Sequence, residues 1–91
     1  MTDVPAPAAI EDKIFELLTT RQDAATICPS EVARALVPPG GAWRPLMPQV
    51  RQVAQSLAQA GRLVVRRGGV QVDAMSSGGP IRLGHPRTRG A

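Results

Sequence analysis

One amphipathic segment, Trp43 to Ala60, limits what this chain can become more than anything else in it. At 100° per residue, Leu46, Val50, Val53, Ala54, Leu57 and Ala60 fall in one arc, and Arg44, Pro48, Arg51, Gln52, Gln55 and Gln59 fall in the opposite one. The pattern predicts a helix with one side on a core and a donor-rich side in water. Pro38-Pro39-Gly40-Gly41 stops any helix upstream of it, and Gly61 suits the residue that follows a helix end. Two starts fit the prolines: a helix from Pro45, or one from Pro48 with residues 43–47 as a separate turn.

The rest of the chain must cover that apolar arc. Ninety-one residues, 43% of them apolar, make one domain. With Trp43 and Phe15 as the only aromatics, a chain of this size buries about 60% of its unfolded surface in one modest aliphatic core. Upstream, Ile10, Ile14, Leu17 and Leu18 recur at helical spacing, with Glu11, Asp12, Lys13 and Glu16 on the other side. This predicts a helix from about Ile10 to Thr20, its first turn acidic, preceded by a flexible leader over 1–9 and followed by a polar run from Arg21 to Ala25. Thr26-Ile27-Cys28 is a short candidate strand at a sheet edge. Pro29 then fits a first helical position and Glu31 the matching capping-box position, with Val32, Ala33 and Leu36 facing inward.

After the long helix, Arg62 to Arg67 reads as a strand with Leu63 and Val65 on one face and Val64 and Arg66 on the other. Gly68-Gly69 turns the chain, and Val70 to Val72 pairs briefly. Asp73 to Gly79 reads as a flexible loop, Pro80 to Leu83 as a second strand with Ile81 and Leu83 inward, and residues 85–91 as a basic tail. The order helix, short strand, helix, loop, longer helix, two-stranded hairpin is that of a winged helix: an α+β fold over residues 10–84, with three helices and a small antiparallel β-hairpin wing from Arg62 to Leu83. The stretches TICPSEVARAL, WRPLMPQVRQVAQSLAQAGRLVV and GPIRL resemble a family of small bacterial winged-helix proteins of unknown function. That resemblance implies the fold and, by analogy across winged helices, DNA binding; it supplies no activity or ligand. Its helix-turn-helix would be residues 29–36 and 43–60, joined by a six-residue connection longer than the tight turn of many such motifs.

Charge points the same way. Residues 1–43 sum to −3, whereas residues 44–91 hold eight arginines (44, 51, 62, 66, 67, 82, 87 and 89) against Asp73 alone and sum to +7. Arginine forks onto phosphate or carboxylate, so the partner expected is anionic. Arg51, Gln52 and Gln55, with Arg44 and Gln49 near the helix start, are of the types that read guanine and adenine edges in a major groove. Arg66 and Arg67, placed near the wing tip, together with Arg62 and Arg82 on its strands, would hold phosphates. The first reading is therefore a module for double-stranded DNA, with helix 43–60 as recognition helix and hairpin 62–83 as basic wing. The alternative is a winged helix that docks on an acidic protein. Ordinary explanations stand beside each residue: a solvated helix face, and charged strands that discourage edge-to-edge aggregation.

Other classes find less support. Cys28 is the only cysteine, which excludes an internal disulfide and a zinc site of cysteine pairs and fits a reducing, cytoplasmic setting. At a helix start it reads either as a small cap residue or as a redox-sensitive thiol. Cys28 and His85 are the one nucleophile–base pair, and none of the Gly-Gly pairs sits in a phosphate-cradling strand-loop-helix, so no catalysis, cofactor or metal is expected. No apolar stretch approaches the length of a membrane span or the core of a signal peptide. Trp43 is expected to pin the loop and the long helix on the core, and the choice between monomer and homodimer stays open.

Overall fold

The computed structural model describes residues 5–21, 26–76 and 78–86. Helix α1 spans Pro7–Thr19, α2 spans Pro29–Ala35, a 3-10 turn covers Arg44–Leu46 and leads into α3, Met47–Gln59; strands β1, β2 and β3 are Val64–Arg67, Val70–Gln71 and Arg82–Gly84. Three helices followed by a three-stranded antiparallel sheet make an α+β domain, as expected.

Helix α1 starts three residues earlier than its apolar spacing suggested. Pro7 takes the first helical position, where its fixed φ is already helical, and two alanines carry the turn on to Ile10. Glu11 and Asp12 thereby move into the second turn, and the first turn holds no acidic residue. Ile10, Ile14 and Leu18 are buried, and Leu17 and Phe15 pack partly against the core. Pro29 opens α2, and the Glu31 carboxylate accepts a hydrogen bond from the Cys28 amide at 3.3 Å, which satisfies a donor that the helix leaves free.

The two prolines of the long helix resolve into two elements. Pro45 lies in the 3-10 turn, and Pro48 occupies the second position of α3, where its missing N–H costs nothing. Val50, Ala54 and Leu57 are buried beside Leu46, whereas Ala60, assigned to the same arc by sequence, is exposed because it caps the helix and the chain turns away at Gly61.

The expected two-stranded wing is instead a three-stranded sheet in the order β2-β1-β3. Gly68 and Gly69 form a two-residue turn between β1 and β2 with φ of +58° and +84°, the left-handed pair that matches strand twist and that other residues adopt at a cost. Residues 72–81 then carry the chain to the other side of β1, where Val65 pairs with Leu83. Leu83 also exchanges two backbone hydrogen bonds with Ile27, at 2.9 and 2.7 Å, so the short strand predicted at 26–28 is a single bridge on the far edge of β3. Leu63, Val65, Ile81 and Leu83 close the core over the helices, each almost fully buried. At roughly 1.5–3 kcal/mol for each large side chain, this one cluster carries most of the favourable free energy of folding.

Candidate functional site

The outer face of α3 presents Pro48 and Gln52 fully and Gln49, Arg51 and Gln55 partly to solvent, with exposed Arg44 on the 3-10 turn before it. Trp43 precedes that turn and packs partly on the core, as expected. The Arg34 guanidinium, from the last turn of α2, lies 4.6 Å from the Trp43 ring centroid, and that of Arg44 lies 4.7 Å from it. Contacts of this kind stabilise by about 0.5–1 kcal/mol each at exposed positions. The Arg34 contact ties the last turn of α2 to the entrance of the 3-10 turn and α3.

Beside Trp43 the surface opens into a groove of about 540 Å³ lined by Trp43, Arg44, Met47, Pro48, Arg51 and Met75. Residues 43, 47 and 51 are four apart and so share one side of the turn and helix. Met75 comes from the β2–β3 connection, which is held rather than loose. Ala74 is buried and donates its amide to Gln55 Oε1 at 2.8 Å; the Met75 amide donates to Asp73 Oδ1 at 2.8 Å; and Ser76 Oγ donates to the Asp73 carbonyl at 2.7 Å. The Met75 side chain remains 52% exposed at the groove's edge.

Four of the nine residues singled out by sequence are hydrogen-bonded within the chain. Gln55 anchors Ala74. Arg62 leaves the sheet for α1, pairing with Glu11 at 3.1 Å and lying 5.1 Å from the Phe15 ring centroid. Arg82 donates to Thr26 Oγ1 and to the Thr26 carbonyl, both at 2.9 Å, and to Cys28 Sγ at 3.3 Å. Arg67 is half-buried and donates to Ser76 Oγ and its carbonyl, at 3.3 and 3.2 Å, and to the Gly79 carbonyl at 3.1 Å. It joins the end of β1 to Ser76 and Gly79. Arg66 stands on the solvent face of β1. Arg87 and Arg89, the leader residues 1–4 and the polar run 22–25 lie outside the described residues.

Arg44, Gln49, Arg51, Gln52 and Arg66 make no side-chain hydrogen bond or ion pair among the described residues. Arg34, Met47 and Met75 were not singled out in the sequence. Met47 was legible, lying midway between Trp43 and Arg51 at helical spacing. Arg34 and Met75 reach the site only through tertiary packing.

Cys28 is half-buried under Arg82. Its neighbour Glu31 also accepts from the Arg21 guanidinium. Burial pushes the Glu31 carboxyl up, but the hydrogen bonds from Arg21 and the Cys28 amide and the charges of Arg21 and Arg82 outweigh it, so Glu31 titrates below the usual glutamate range. No group of three or more potential metal ligands occurs among the described residues, and none of their helices is long and apolar enough to cross a membrane.

Fold and surface together define a small α+β domain compatible with a winged-helix-like arrangement, with a groove beside the start of the third helix. Residues 7–86 match the family described as "Protein of unknown function (DUF3253)", and the chain belongs to that family. A comparison with curated proteins finds none that matches.

Proposed function

We propose that this chain is a winged-helix-like binding module, without catalysis of its own, that docks an acidic protein partner on the outer face of α3. One observation carries the reading: Arg44 and Arg51 flank a groove whose floor and walls are Trp43, Met47, Pro48 and Met75, and neither guanidinium has a carboxylate partner among the described residues. Tryptophan, methionine and arginine are the residue types that protein interfaces concentrate. A phosphate-binding shelf needs several unengaged cations side by side, whereas Arg62, Arg67 and Arg82 already serve carboxylate, carbonyl, hydroxyl and thiol groups of this chain.

The second reading, double-stranded DNA, is favoured by Gln49, Arg51 and Gln52 along the first half of α3 and Arg44 on the turn before it, where groove-reading side chains belong, none of them in a side-chain hydrogen bond or ion pair among the described residues. The two readings separate in one experiment. The chain is titrated with a short DNA duplex and with acidic peptides at rising salt, following the fluorescence of Trp43, its only tryptophan. Docking on protein predicts saturable peptide binding with a modest salt dependence; a steep loss of duplex affinity between low and physiological salt, with peptides inert, would establish DNA instead.

A further inference from the structure

Resting on the docking reading, we infer that the groove takes an acidic amphipathic helix, which inserts one large apolar side chain between Trp43 and Met75 and sets carboxylates on Arg44 and Arg51. The geometry supplies each element. Arg44, on the 3-10 turn, and Arg51, on α3, both line the groove and stand seven residues apart in the chain. A partner helix laid along the groove places acidic residues at i and i+7 against them and an apolar residue at i+3 or i+4 on the same stripe, midway between.

Between Arg44 and Arg51 in the chain lies Met47, and Trp43 and Met75 line the same groove, Met75 half exposed. Methionines adapt to the shape of an incoming side chain, and the groove, about 540 Å³ and open to solvent, has room for one large side chain laid on it. Complementary charge selects the occupant: α3 carries no acidic residue over its 13 residues, so an acidic helix meets no repulsion along it.

The test uses the full chain and three probes free of tryptophan. The first is a synthetic helical peptide with Glu at i and i+7 and Phe and Leu at i+3 and i+4; the second is an oligoglutamate of equal length; the third is a 15-base-pair duplex. A saturable change in Trp43 emission with the first peptide is expected, at least tenfold weaker for oligoglutamate and for Arg51→Glu and Met75→Glu, both at surface positions whose folding is checked by circular dichroism. Equal binding of oligoglutamate overturns the apolar insertion and leaves the acidic-partner reading standing. No binding of either peptide, or binding of the duplex alone, overturns both. Concentration-dependent self-association in sedimentation that Arg51→Glu abolishes overturns the inference in favour of a second copy of this chain.

Discussion

The amide of Ala74 donates to the side-chain oxygen of Gln55 at 2.8 Å, and this bond fastens the β2–β3 connection to the flank of α3. Gln55 is one of the outward glutamines of the type that reads adenine edges. Its carbonyl is spent instead on a backbone donor nineteen residues away, and the same bond positions Met75 at the groove.

Gln55→Ala should leave the Ala74 amide without a partner in a part-buried site, at a cost of about 1–2 kcal/mol. Urea denaturation measures the loss, and faster hydrogen exchange at the Ala74 amide locates it. An unchanged midpoint and unchanged exchange would mean that the bond contributes nothing.

Arg67→Ala removes three hydrogen bonds to the Ser76 and Gly79 segment and should destabilise by about 1–2 kcal/mol. Arg67→Lys should recover only part, because Arg67 reaches its three acceptors with two nitrogens and a lysine offers one, on a differently shaped stem. Arg66→Ala, one residue away on the solvent face of the strand, should stay within about 0.5 kcal/mol. Thermal melts of the three variants check the ordering; equal effects at 66 and 67 would contradict the clamp.

Ile14→Ala empties a fully buried position under α3 and should cost about 2–5 kcal/mol. In a domain of 91 residues that is a large share of a stability of a few kcal/mol, so the variant should be partly unfolded at 37 °C by circular dichroism. A cooperative melt close to that of the wild type would show that the core relaxes to fill the space.

Glu31 gives the acid response a direction. Its carboxyl titrates lower in the folded chain than in the unfolded one, so the stabilisation it adds is complete above the unfolded value of about 4.3 and is lost as pH falls through the lowered folded value. Glu31→Gln should therefore be less stable than the wild type near neutrality and should flatten the part of the stability curve below about pH 4. Denaturant midpoints measured from pH 3 to 7 decide this; parallel curves would exclude the contribution.

Much of the architecture was readable locally. The stripe of Ile10, Ile14 and Leu18, the proline and glycine stops, the helix start at Cys28 to Glu31 and the inward faces of Leu63 and Val65 are all properties of a few consecutive residues, and each element formed where its pattern lay. Helix α1 reaches into the leader expected over 1–9 because Pro7, which cannot continue a helix, can begin one. The brief pairing expected over Val70 to Val72 forms as the two-residue strand Val70-Gln71, set by the Gly68-Gly69 turn rather than by any apolar run.

The candidate site divided differently. Arg44, Arg51 and Gln52 face outward as helical periodicity requires, since a solvent-facing position on a helix depends only on its neighbours three and four residues away. Whether an arginine is free or occupied depends on groups far along the chain: Glu11 for Arg62, Thr26 for Arg82, the Gly79 carbonyl for Arg67. Composition and spacing were enough to place a core, three helices and a basic second half. Which cations stay unpaired, and that Met75 meets Trp43 across a groove, came from folding alone, because a guanidinium takes whichever carboxylate or carbonyl the packed chain brings within about 3 Å of it.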